Sequence, residues 1–125
     1  MTHILIVEDD RDLALVYKEA FETEGFKVGL AADTKEVLSV FNTKEPEVIL
    51  LDLMLPGGEN GFDLLEQWSR NGMLARIPVI VFTNLDSEKN TALSLGARDY
   101  VIKADITPQK IVDTVKKYVT HPAGV

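Results

Sequence analysis

The chain has 125 residues, 46% of them hydrophobic, with a mean hydropathy of +0.03. That is one ordinary domain with a real core, which excludes a multidomain reading, wholesale disorder and a fibrous repeat. A formal charge of −7 offers no general attraction to phosphate backbones or anionic membranes, so neither direct nucleic-acid binding nor membrane association is expected.

Short apolar runs alternate with segments of helical period along the chain. Ile4-Leu5-Ile6-Val7 is the first predicted strand, β1. Residues near 11–24 then place Leu13, Val16, Tyr17, Ala20 and Phe21 three and four apart, an amphipathic helix α1 that stops at Gly25. A weaker strand β2 follows at 27–31, a helix α2 near 34–42, a strand β3 at 48–51 and a helix α3 near 62–71. Strand β4 at 79–82, helix α4 near 86–95 and strand β5 at 100–102 continue the alternation. Thr107 as N-cap and Pro108 in the first turn open α5. Ile111, Val115 and Tyr118 or Val119 make its buried stripe, and Pro122 and Gly124 end it. All the strands but β2 are continuously apolar and rich in β-branched residues, as strands covered on both faces are. Right-handed β-α-β crossovers then give a doubly wound α/β domain with a mostly parallel five-stranded sheet and helices on both faces. Only the tail, 121–125, is expected to be loose, leaving one domain over 1–120.

Ligands of such sheets bind beyond the carboxyl ends of the strands, so those ends carry the chemistry. β1 runs into Glu8-Asp9-Asp10, β3 into Asp52, β4 into Thr83 and β5 into Lys103. The three acids after β1 could simply cap α1. Asp52 is harder to explain that way, because a carboxylate closing a buried strand is costly without a partner. Two carboxylates about 5 Å apart repel by roughly 3 kcal/mol at an effective dielectric of 20, so Glu8, Asp9 and Asp52 together need a cation. Lys103 supplies one charge, and a hard divalent ion such as Mg²⁺ suits the remaining oxygens. His3 and His121 stand apart as surface residues, and the chain has no cysteine, which excludes a disulfide framework and thiolate chemistry and fits a cytoplasmic protein. The amino-terminal residues lack the basic flank and long apolar stretch of a signal peptide, and no apolar run is long enough for a membrane helix.

The ordered set Ile4-Leu5-Ile6-Val7-Glu8-Asp9-Asp10, Val48 to Pro56 around Asp52 with Gly61, Val81-Phe82-Thr83, and Gly96 to Lys103 resembles the receiver domain of two-component response regulators over residues 3–119. The resemblance implies a flavodoxin-like (βα)5 fold with strand order 2-1-3-4-5. It implies that Asp52 is the phosphoacceptor, served by a sensor histidine kinase or a histidine phosphotransfer protein. Asp9, Asp52 and the backbone carbonyl of Met54 would hold Mg²⁺, and Glu8 would orient metal-bound water. Lys103 and Thr83 would bind the phosphoryl group, with Tyr100 turning inward behind Thr83; without the resemblance, Tyr100 reads as packing. The switched surface would be α4-β5-α5, for a downstream protein target or a homodimer. With no effector segment after residue 119, output would come from protein contacts, unless the chain is a fragment of a longer regulator. Such a chain is no enzyme in the ordinary sense, catalysing only its own phosphorylation and slow autodephosphorylation.

Several positions depart from the family pattern. Ala104 stands where proline usually follows the lysine, so the bond before it is expected to be trans, with the Lys103 loop held differently. The loop through Pro56-Gly57-Gly58-Glu59 is one residue longer than the commonest spacing. Asn84, where the family is small, could restrict access to Asp52. Met54 and Leu85, apolar at positions that tune hydrolysis, imply a long-lived phosphoryl group. The alternatives are a pseudo-receiver that binds without phosphorylation and a haloacid-dehalogenase-like phosphohydrolase, which would want a second Asp where Met54 stands. A flavodoxin-like carrier would need a Ser/Thr/Gly-rich phosphate loop in place of the acids after β1.

Overall fold

Runs such as Val48 to Leu51 have no polar side for solvent, and the fold covers both of their faces. The computed structural model describes residues 2–55 and 60–119 and places β1 (His3–Val7), β2 (Lys27–Ala31), β3 (Val48–Leu51), β4 (Val79–Thr83) and β5 (Asp99–Ile102) in one sheet. The strand order is β2-β1-β3-β4-β5, with every neighbouring pair parallel, as the family resemblance implies.

The connecting helices are α1 (Arg11–Thr23), α2 (Thr34–Thr43), α3 (Gly61–Arg70), α4 (Lys89–Leu95) and α5 (Pro108–Lys116). Successive strand residues point to opposite faces. Ile4, Ile6, Leu50, Ile80 and Phe82 meet Tyr17 and Phe21 of α1 and Ile111, Val112 and Val115 of α5. Leu5, Val7, Ile49, Leu51 and Val81 meet Val37 of α2, Leu65 and Trp68 of α3 and Ala92 of α4. The sheet therefore sits between two separate hydrophobic layers, and the helical crossovers, which run all five strands in one direction, gather their carboxyl ends along one edge.

Two helix boundaries differ from the sequence pattern. α4 begins at Lys89 rather than near 86, because the chain before it is committed elsewhere. The Leu85 amide donates to Thr83 Oγ1 at 3.3 Å, and the Leu85 carbonyl accepts from the Tyr100 hydroxyl. α5 ends at Lys116, short of Tyr118 and Val119, and Val112 takes their place in its buried stripe. Its last turn tightens through Lys117 N–H to Thr114 C=O at 3.2 Å, and the Tyr118 hydroxyl donates to Asp99 Oδ2 at 2.8 Å beyond the helix. Pro122, Gly124, His121, the tail 121–125 and the loop residues Pro56, Gly57, Gly58 and Glu59 lie outside the described residues. No helix among the described residues is long and apolar enough to cross a membrane.

Candidate functional site

The hydrogen-bond ladders run one step past the apolar parts of the strands and carry the acids into place. Glu8 N–H donates to the Ala31 carbonyl at 2.9 Å and Asp52 N–H to the Val7 carbonyl at 3.1 Å. The three acids after β1 then divide their work. Asp10 is the N-cap of α1, its side chain accepting from the amides of Asp12 and Leu13 at 3.0 and 3.2 Å. Glu8 and Asp9 are left to the pocket, so the capping reading holds for Asp10 alone.

One carboxylate oxygen from each of Glu8, Asp9 and Asp52 lies within 4.8 Å of the others, with Glu8 and Asp52 buried and Asp9 exposed. Lys103 enters from β5. Its ammonium donates to Asp52 Oδ2 at 2.6 Å and to Glu8 Oε1, and it stands 6.0 Å from the centre of the Phe82 ring. The Lys103 side chain is only 9% exposed, so these carboxylates replace water around the charge. Burial alone would push the ammonium's pKa down, but its hydrogen bonds to Asp52 and Glu8 outweigh burial and hold it above the usual lysine range. Burial pushes the Glu8 carboxyl up, against the opposing hydrogen bonds from Lys103 and the Asp10 amide.

Asp52 Oδ1 accepts from the Met54 amide at 3.0 Å, which pins the carboxylate from behind. The Met54 side chain itself is 58% exposed. Behind the same loop, Gly61 N–H donates to the Leu53 carbonyl at 3.1 Å, and a Cβ on Gly61 would lie 2.0 Å from the Asp52 carbonyl oxygen. Only a glycine lets α3 start this close to the backbone of Asp52.

Thr83 is completely buried at the end of β4, its hydroxyl accepting from Leu85 N–H. Tyr100 is 7% exposed and turned inward, its hydroxyl donating to the carbonyl of that same Leu85. Thr83 and Tyr100 are thus linked through one residue, which the sequence shows only as an apolar position. Leu85 packs its side chain on the core, beside the layer that holds Trp68. Asn84 turns its amide oxygen to the Ala104 N–H at 2.9 Å. No peptide bond among the described residues is cis, so Lys103-Ala104 is trans as expected. Despite the different loop, Lys103 reaches both Glu8 and Asp52. His3 lies at the opposite end of β1 from the pocket.

Glu8, Asp9, Asp52 and Lys103 thus form one cluster at the carboxyl edge of the sheet, with Thr83 at the end of β4 beside it, while Tyr100 lies inside β5, paired with Val81, and reaches toward that edge only through its hydroxyl. The cluster sets three acidic side chains against a single lysine, so oxygen ligands outnumber the cation already there. Its donors are all oxygen, with one acid open to solvent. Such a set fits a hard divalent cation that keeps much of its water, as Mg²⁺ does.

Strand order and site together define a doubly wound domain with an acidic, lysine-containing pocket at its strand ends. The family model for the response regulator receiver domain matches residues 4–116, and the chain belongs to that family. It is 35% identical over 123 residues to the response regulator SaeR of Staphylococcus aureus, covering 97% of this chain and 52% of SaeR. The chain therefore spans about half the length of the curated relatives it matches. Among solved structures, the receiver domain of Francisella response regulator 1452 is 30% identical with a TM-score of 0.83, covering 94% of this chain and 95% of that one. The Thermotoga maritima response regulator TrrA, solved in complex with Mg²⁺-BeF, shares the fold at 24% identity and a TM-score of 0.81, covering 95% of this chain and 100% of that one.

Proposed function

We propose that this chain is a phosphorylatable switch in which Asp52 accepts a phosphoryl group from the phosphohistidine of a sensor histidine kinase or a histidine phosphotransfer protein. The observation that carries the reading is the Asp52 carboxylate itself: buried, pinned by the Met54 amide, bonded to the Lys103 ammonium and gathered with two further acids. A carboxylate oxygen attacks phosphorus as the histidine N–P bond breaks, leaving an acyl phosphate and returning the electron pair to the imidazole nitrogen. Such a transfer is governed by alignment and by neutralisation of the equatorial oxygens.

Lys103 is in place to pair with those oxygens, and the Thr83 hydroxyl can join it once released from Leu85 N–H. Asp9, Asp52 and the Met54 carbonyl would hold Mg²⁺, with Glu8 orienting its water; when bound, the ion supplies positive charge for the transferring group. The solved complex of TrrA with Mg²⁺-BeF supports that choice of ion. Release of Thr83 changes the hydrogen bonding of Leu85 and, through the Leu85 carbonyl, of Tyr100. An added charge of about −1.5 to −2 then has a route to the α4-β5-α5 surface, where a downstream protein or a second copy of the chain would dock. The chain acts in the cytoplasm, through proteins rather than by contacting nucleic acid or membrane itself. It catalyses no reaction beyond its own phosphorylation and slow dephosphorylation.

The test is incubation of wild type and Asp52→Asn with Mg²⁺ and a small acyl phosphate, read by intact mass. One phosphoryl adduct on wild type and none on the variant is the expected result. No adduct on either, with no response to beryllofluoride, would replace this reading with that of a pseudo-receiver.

A further inference from the structure

Thr83 ends β4 and is paired in the ladder to Ile102, the last residue of β5, which Lys103 follows; beyond them the chain leaves the sheet as two separate loops. Lys103 opens a 3-10 turn, Lys103–Asp105, that has no buried residue and no side-chain cap. Its own closure is a single long hydrogen bond, Ile106 N–H to the Lys103 carbonyl at 3.4 Å. So loosely closed a turn is a poor base for a lysine, whose stem is long and flexible. A shorter bond crosses from the neighbouring loop, where Asn84 Oδ1 accepts from Ala104 N–H at 2.9 Å. It joins the residue after Thr83 to the residue after Lys103, and it exists because position 104 carries an amide hydrogen.

We propose that Asn84 is a positioning residue for Lys103: through the Ala104 amide it holds the Lys103 turn against the end of β4, keeping the ammonium seated between Glu8 and Asp52. The inference rests on the phosphoacceptor reading for its functional consequence, but not for the contact itself. Both partners in the bond are exposed, so its value lies in restraint of the turn rather than in burial. A second consequence follows from the same tie. Displacement of the Thr83 loop toward the pocket pulls on the Lys103 turn, so the two groups that would meet the phosphoryl oxygens move together.

The experiment compares wild type, Asn84→Leu, which keeps the volume and loses the acceptor, and Asn84→Asp, which keeps an acceptor oxygen. Three readouts are taken on the full chain: adduct formation with a small acyl phosphate and Mg²⁺, exchange of the Ala104 amide proton, and the NMR signal of the Lys103 ammonium. In Asn84→Leu the adduct should form on the order of three- to tenfold more slowly, the size of one net hydrogen bond. The Ala104 amide should exchange faster and the Lys103 signal should shift, with Asn84→Asp returning the amide and the lysine toward wild type. Unchanged exchange at Ala104 in Asn84→Leu overturns the proposal, as does faster exchange with an unmoved Lys103 signal and an unchanged adduct rate. A wild type that takes no phosphoryl group defeats the phosphoacceptor reading alone. The amide and ammonium signals then still decide whether Asn84 holds the turn.

Discussion

Replacing Lys103 by methionine isolates the charge at the centre of the site while keeping a side chain of similar length. At the 2.6 Å separation from Asp52, the ammonium–carboxylate attraction is about 6 kcal/mol at an effective dielectric of 20. Against it stands the cost of burying the ammonium, several kcal/mol, which the variant no longer bears. The difference leaves Lys103→Met about 3 kcal/mol less stable, at the lower end of what removing one partner of a buried pair costs. For a chain of 125 residues this lowers the melting temperature by about 10 °C. Thermal and urea unfolding should be followed by circular dichroism with chelator and again with millimolar Mg²⁺. The deficit should shrink when Mg²⁺ is present, because a dication bound only by the folded state takes over the orphaned carboxylates. A variant as stable as wild type in chelator would refute the reasoning, since the ammonium would then not be the counter-charge of Glu8 and Asp52.

Gly61→Ala places a methyl group against the Asp52 carbonyl oxygen and the Leu53 Cα, both backbone atoms that cannot swing away; a loss on the order of 2 kcal/mol in urea unfolding and slower adduct formation at Asp52 are expected. Glu8 is held above its ordinary pKa by burial, so its contribution to stability is fully present below the unfolded value near 4.5 and is lost as pH rises through the folded value. Glu8→Gln, measured without Mg²⁺, should therefore gain on wild type in urea midpoint as pH is raised across that window; a constant difference would refute the assignment. Met54→Asn and Leu85→Glu should each shorten the lifetime of the phosphoryl group, which a time course of adduct loss by intact mass would read.

The fold was legible where burial is two-sided. β1, β3 and β4 have no polar residue within their apolar runs, and only a sheet covered on both faces accommodates that. Helix ends were read less well when a side chain elsewhere claimed the backbone. Nothing in the local pattern around Leu85 reveals that its amide and carbonyl go to Thr83 and Tyr100, and so α4 starts late. The acids and Lys103 were visible because strand ends are where such sheets place their chemistry. The division of labour among Glu8, Asp9 and Asp10 was not, since capping and pocket roles ask for the same residue types. The tie between Asn84 and Ala104 left no signal at all. A hydrogen bond between two loops separated by a helix and a strand has no period, and in the sequence the two residues are merely two departures from a pattern.

The Lys103 ammonium meets Glu8 across 95 residues of sequence and Asp52 across 51. A chain emerging from the ribosome therefore assembles its negative charges first and lives with them, unneutralised, until the last strand arrives. Docking of β5 then does two things at once, sealing the edge of the sheet and discharging the pocket. Early folding should accordingly be slowed by low ionic strength and eased by divalent cations, with the final strand drawn home by the field of the residues it comes to neutralise.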